Sequence, residues 1–194
     1  METINENDKI QVTIGGNGRS GKTTFINKMI GSDTLSYIPT IGASFLSTTT
    51  YFDRKNINVL IWDLAGTERY RTFVQMFFRR TDLFILFVDL STEINIEKDI
   101  EEWLTIYEQK KNHNNYTVVI VGNKRDIQKA GNNEKVKNCC EDKNIPYLDC
   151  SVIDDNYLTT LHEMLFEGGT YHTVMNNYKM KPNDYFKVDL PKAL

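Results

Sequence analysis

Cysteine is rare in this chain: Cys139, Cys140 and Cys150 are the whole complement. An odd number without metal-ligand spacing excludes the disulfide framework of a small secreted domain and fits a reducing compartment. Histidine is as scarce. His113, His162 and His172 stand in polar or helical surroundings with no second ligand at metal spacing, so they read as surface or packing residues. Neither sign of charge dominates: 23 Lys and Arg face 26 Asp and Glu, for a net charge of −3. No basic field exists to attract nucleic acid. No apolar run is long enough to span a bilayer. The polar, acidic start from Met1 to Asp8 lacks the parts of a signal peptide and has Glu2 where N-myristoylation needs glycine. Internal repeats and low-complexity blocks are also lacking. What is present is 194 residues, 40% of them hydrophobic, enough for one well-buried domain and a tail.

The hydrophobic pattern alternates between two periods. Ile10, Val12 and Ile14 alternate with polar residues and stop at Gly15-Gly16, which predicts a strand. Phe25, Ile26, Met29 and Ile30 have helical spacing up to Gly31. Phe45 to Phe52 and Ile57 to Asp63 predict two strands of a hairpin, turning at Asp53 to Asn56. Leu83 to Val88 and Val118 to Val121 are continuously apolar, as in parallel strands buried on both faces. Between them Ile96, Ile100, Trp103, Leu104 and Tyr107 mark an amphipathic crossover helix. Val136, Cys139 and Cys140 predict a further helix, Ile145 to Leu148 a short last strand, and Leu158, Leu161 and Leu165 a last helix. The expected fold is α/β: a mostly parallel, six-stranded, doubly wound sheet flanked by helices, with ligand at the carboxyl ends of the strands. From Gly169 to Leu194 the periodicity fails, so residues 1–168 read as the domain and 169–194 as an extension or linker.

One stretch between a strand and a helix carries specific chemistry. Gly16 to Thr23 fits the phosphate-loop pattern Gly-x-x-x-x-Gly-Lys-Ser/Thr in its proper strand-to-helix context. In such a loop the backbone amides of Gly18, Arg19, Ser20, Gly21, Lys22, Thr23 and Thr24 cradle a polyphosphate at a helix N-terminus. Lys22 reaches the outer phosphates, and the Thr23 hydroxyl holds a magnesium ion. A plain glycine-rich turn would not need both flanking elements. Asp63, ending an apolar strand, can hold a magnesium-bound water, and the Gly66 amide falls near the outermost phosphate. Asn123, Lys124 and Asp126 fit Asn-Lys-x-Asp after the strand Thr117 to Val121. A loop carboxylate accepts two hydrogen bonds from the guanine edge, whereas adenine offers no matching pair. A small-molecule kinase sharing the phosphate loop is the weaker alternative, since lid-like arginines are not evident.

At these residues the chain resembles the Ras superfamily of small GTPases. The stretches Tyr37 to Phe45 and Trp62 to Tyr70 are most similar to the Rab branch, over about Lys9 to Glu167. The resemblance implies a GTP/GDP switch with Mg2+, in vesicular or membrane trafficking. It implies that Thr40 joins Thr23 and Asp63 at the metal, and that Lys22, Thr40 and Gly66 stabilise the transferred phosphoryl group. Segments around Ser32 to Ser44 and Leu64 to Arg79 would relax on hydrolysis. Phe45, Trp62 and Phe77 fall where Rab proteins present an aromatic effector surface, although aromatic strand residues are as often ordinary core. Ser151 would support Asp126, and the Val152 amide would read the guanine oxygen. An exchange factor, effectors and an activating protein are the implied partners, in the cytoplasm or at the cytosolic face of endomembranes.

The departures are as specific as the matches. Thr67 stands at the position of the glutamine that orients the attacking water. Hydrolysis is expected to be slow. Asp33 replaces the aromatic residue over the guanine face, Ile153 the lysine stem that covers the base, and Arg19 a glycine. The chain ends Asp189 to Leu194 without prenylation cysteines, so membrane attachment requires an anchor outside this chain. Two expectations follow. One is a fragment whose anchor or partner domain lies elsewhere, and the other a protein that works without its own anchor. The rival functional reading is a hydrolysis-poor guanine-nucleotide module within a larger protein.

Overall fold

The computed structural model describes residues 9–29, 39–52, 55–93, 95–110 and 117–153. Six strands form one sheet in the order β2-β3-β1-β4-β5-β6. They are β1 (Lys9–Gly15), β2 (Ala43–Phe52), β3 (Lys55–Leu64), β4 (Leu83–Asp89), β5 (Thr117–Asn123) and β6 (Tyr147–Asp149). Among the described residues only β2 and β3 pair antiparallel; the other neighbours run parallel. The helices are α1 (Lys22–Met29), α2 (Arg71–Val74), α3 (Ile96–Lys110) and α4 (Asn132–Asp142), with short 3-10 turns at Glu68–Tyr70, Gln75–Arg80 and Arg125–Ile127. The expected α/β sheet of six mostly parallel strands is therefore the observed one.

Strand geometry sorts the apolar run of β4 onto two faces, because successive side chains point to opposite sides. Leu83, Ile85 and Phe87 join Ile10, Val12, Ile14, Phe25, Val119 and Val121 in one core. Phe84, Leu86 and Val88 join Val74, Phe78, Ile100, Trp103, Tyr107 and Val136 in the other. All five residues of the predicted crossover stripe are buried on α3. Rings of Phe78, Phe84 and Tyr107 meet with centroids 4.8–5.2 Å apart, which ties the segment after β3 to β4 and α3.

Two boundaries differ from expectation. The hairpin pairs out to Phe52 and Lys55, so Lys55 and Asn56 extend β3 instead of forming the turn. Backbone pairing overrides their weak strand propensity. The last strand begins at Tyr147, not Ile145: the Ile145 amide is bonded back to the Cys140 carbonyl at 2.9 Å, and Pro146 has no amide to give. The predicted last helix, the 169–194 extension, the three histidines and Asp33 lie outside the described residues.

Candidate functional site

β1 delivers the chain into the phosphate loop, and α1 begins immediately after it. Gly21 has φ +100°, and a Cβ there would lie 2.1 Å from Asn123 Nδ2. Only glycine fits. Arg19 also adopts a left-handed φ of 66°, a region that a side chain enters at a cost. The Lys22 ammonium is buried within the loop, donating to the carbonyls of Gly16 and Asn17 at 2.8 Å each. Burial lowers its pKa to about 8, with the Asp63 charge opposing that shift.

Three oxygens converge at the start of α1. Thr23 Oγ1 donates to Asp63 Oδ2 at 2.6 Å, Thr40 Oγ1 lies 3.1 Å from Thr23 Oγ1, and Thr40 Oγ1 reaches Asp63 Oδ2 at 3.3 Å. Asp63 is buried, and its Oδ1 has no hydrogen-bond partner among the described residues. Burial pushes its carboxyl up, opposed by the Thr23 hydrogen bond, the Lys22 charge and Thr40. Hard oxygen donors with an unpartnered buried carboxylate oxygen fit a small divalent cation, whose charge would hold Asp63 ionised.

Just after β3, Gly66 lies flat on the phosphate loop. A Cβ on it would meet the Asn17 carbonyl carbon at 2.4 Å, Gly16 O at 2.5 Å and Gly18 N at 2.5 Å. The Gly18 amide donates to the Gly66 carbonyl at 3.0 Å. Thr67 stands beside Gly18, its Cγ2 3.8 Å from where a Gly18 Cβ would be. The Thr67 hydroxyl is buried without a partner among the described residues.

The base-side loops leave the ends of β5 and β6. Ser151 Oγ donates to Asp126 Oδ1 at 2.6 Å, as the resemblance implies. Asn123 is fully buried and its carboxamide is spent inside the protein: Nδ2 donates to Ser20 O at 2.8 Å, and Oδ1 accepts the Val152 amide at 2.9 Å. The Val152 amide, given to the guanine oxygen by the resemblance, thus donates to Asn123 Oδ1 in this structure. Lys124, at a left-handed φ of 65°, donates to Asp89 Oδ2 at 2.6 Å. Ile153 is 60% exposed beside this loop.

The aromatic stripe is at the surface. Phe45, 52% exposed, packs on half-buried Trp62 with centroids 4.7 Å apart, Trp62 on Phe77 at 4.6 Å, and Phe73 on Phe77 at 5.7 Å. Sequence reasoning missed a second set: the side chain of Asn17 joins Arg71, Asp99 and Trp103. Asn17 occupies a variable motif position and its partners lie far along the chain, so no spacing announces them.

A phosphate loop, an acidic strand end and an Asn-Lys-x-Asp loop on one edge of a mostly parallel sheet define a P-loop nucleotide-binding protein. A model of the Ras family matches residues 11–168, and the chain belongs to that family. The GTP-binding protein yptV5 of Volvox carteri is 30% identical to it over 154 residues, 75% of each chain. The Ypt/Rab-type GTPase Rab7 of Gibberella zeae is 29% identical over 150 residues, 73% of each. Ras-related protein Rab-3A of Homo sapiens is 36% identical over 121 residues, 61% of this chain and 53% of that protein. The chain is thus a Ras-superfamily small GTPase most like the Rab branch, and its ligand class is guanine nucleotide. No helix among the described residues is long and apolar enough to cross a membrane.

Proposed function

We propose that this protein is a slow Rab-type switch acting in membrane trafficking on the cytosolic side. Residues 1–168 form its GTP-binding domain and 169–194 an extension. The observation that carries the reading is the convergence of Lys22, Thr23, Thr40 and Asp63 on one edge of the sheet that also holds the Ser151–Asp126 pair. Thr23, Thr40 and Asp63 would hold Mg2+, which supplies charge neutralisation at the phosphates. The backbone of Gly18 to Thr24 would cradle the phosphates, while Asp126, with Asn123, Lys124, Ser151 and Val152 around it, would select guanine. Lys22, Thr40 and Gly66 would stabilise the transferred phosphoryl group.

Thr67 is too short to orient the attacking water as a glutamine amide does. If that contact contributes about 1.4–2.8 kcal/mol at the transition state, hydrolysis is roughly ten- to a hundredfold slower than in a glutamine-bearing relative. Effectors are proposed to dock on the stripe of Phe45, Trp62 and Phe77, whose exposure and ring-to-ring packing support a rigid apolar face. The test is multiple-turnover GTP hydrolysis with excess Mg2+, using Lys22→Ala as blank and Thr67→Gln as comparator. Turnover above the blank, raised by the comparator, is expected. Turnover equal to the blank with intact GTP binding overturns the slow switch in favour of a guanine-nucleotide interaction module.

A further inference from the structure

The residue after the first glycine of the phosphate loop does something the motif does not require. Asn17 Oδ1 accepts from Arg71 Nη2 at 3.0 Å and from Trp103 Nε1 at 3.0 Å, while Asn17 Nδ2 donates to Asp99 Oδ2 at 2.5 Å. Every polar atom of the carboxamide is directed at a residue from another element. Arg71 opens α2 and is paired through Nη1 with Glu102 of α3. Its guanidinium carbon sits 5.6 Å from the centre of the Trp103 ring. Trp103 is buried, and its Cζ3 approaches Gly15, where an added Cβ would lie 3.2 Å away. The indole thus forms a fixed floor under the start of the loop.

These contacts bracket Thr67. On its N-terminal side, Gly66 is pressed on the backbone of Gly16 to Gly18 and its carbonyl accepts the Gly18 amide. On its C-terminal side, Arg71 is held by the side chain of Asn17. The same short stretch of phosphate loop therefore grips both ends of the segment 67–70, once through backbone and once through a carboxamide. We propose that Asn17 and Arg71 are positioning residues: touching no nucleotide with their side chains, they fix segment 67–70 against the phosphate loop and thereby set the rate of GTP hydrolysis. The inference rests on the hydrolytic reading above for its rate, and on geometry alone for the clamp. The grip on Arg71 is polar, and Arg71 Nε is buried and unpartnered among the described residues, so the contact is not fully satisfied.

The test exploits the polarity of the carboxamide. Asn17→Asp keeps oxygens for Arg71 and Trp103 but sets a carboxylate against that of Asp99; Asp99→Asn restores a donor across that contact. In single-turnover hydrolysis of preloaded GTP with Mg2+, Asn17→Asp is expected to fall about tenfold, and Asn17→Asp with Asp99→Asn to return within about threefold of the parent. Arg71→Lys, which cannot serve Glu102 and Asn17 as a fork, should lower the rate about tenfold while GDP affinity stays within about threefold. An unchanged rate in Asn17→Asp, a loss that Asp99→Asn does not rescue, or a parallel loss of GDP affinity in Arg71→Lys would each overturn the proposal. If the parent itself turns over no faster than Lys22→Ala, the hydrolytic reading has failed, and limited trypsin digestion decides the clamp. Faster cleavage after Arg69 and Arg71 in Asn17→Asp, reversed in the double variant, upholds it; equal cleavage in all three overturns it.

Discussion

Asn123 is predicted to matter more for folding than for reading guanine. Its two carboxamide atoms tie the end of β5 to two loops: to Ser20 in the phosphate loop through Nδ2, and to Val152 after β6 through Oδ1. Both bonds are buried, and Asn123 itself is 0% exposed. Asn123→Ala leaves the Ser20 carbonyl and the Val152 amide without partners. A buried group left unsatisfied costs about 1–3 kcal/mol, so the pair costs about 2–6 kcal/mol. In a chain of this size each kcal/mol moves Tm by about 2–4 °C, which places the fall between about 4 and 24 °C. The assay is thermal unfolding by circular dichroism of nucleotide-stripped protein, repeated with GDP in excess. Ser151→Ala is the contrast, because it removes only the solvent-exposed bond to Asp126. It should melt within about 2 °C of the parent without nucleotide, since exposed hydrogen bonds contribute little net stability, and lose part of the gain that GDP confers. An Asn123→Ala protein that melts with the parent in the absence of nucleotide refutes the reasoning.

Three further outcomes follow from the same geometry. Gly66→Ala would place a methyl group 2.4–2.5 Å from the phosphate-loop backbone; a displacement of about 1 Å should cost on the order of a hundredfold in single-turnover hydrolysis, with GDP binding retained. Chelating Mg2+ should speed GDP release by on the order of a hundredfold, several kcal/mol of charge stabilisation being lost, and Asp63→Ala should release GDP fast with or without chelator. Burial pushes the Cys140 thiol up to about 12 from 9.0, so at pH 8.5 its thiolate is about a thousandfold rarer than in the unfolded chain. Mass spectrometry after iodoacetamide at that pH should find Cys140 unmodified in native protein and modified in urea. Because the folded pKa is the higher one, this group favours the fold below about pH 9, and that contribution is lost as pH rises toward 12.

The parts of the molecule that were legible in the sequence are those where one physical demand repeats along the chain. Ile96, Ile100, Trp103, Leu104 and Tyr107 reveal α3 because a helix face buries every third or fourth residue. Leu83 to Val88 reveals a central strand because both faces of β4 are covered. The phosphate loop, Asp63 and the Asn123–Asp126 loop stand out in the sequence for another reason: their motifs have fixed spacing, and the structure brings them to one sheet edge. Where the demand is local competition between backbone partners, the reading slipped. Lys55 and Asn56 look like a turn and pair as strand; Ile145 looks like strand and bonds back to α4. Asn17 was invisible because its partners stand 54, 82 and 86 residues away and share no period with it.

The distribution of satisfied and unsatisfied polar atoms also says which side of the site is built to move. On the base side, Asn123 has both carboxamide atoms bonded in buried surroundings, and breaking either bond leaves an orphan inside the fold. Two satisfied buried bonds make that side costly to rearrange. On the other side, Asp63 Oδ1, Thr67 Oγ1 and Arg71 Nε are buried without partners among the described residues, all within or next to the segment that lies on the phosphate loop. Orphaned groups raise the energy of this arrangement by about 1–3 kcal/mol each. Any ligand that satisfies some of them, or frees the segment to find water, shifts the equilibrium by a comparable amount. A ligand that satisfies these atoms would therefore bear on residues 63–71, while the buried bonds of Asn123 are already made without it. The asymmetry that the proposed switch would require is present in the hydrogen bonding of the two halves of one sheet edge.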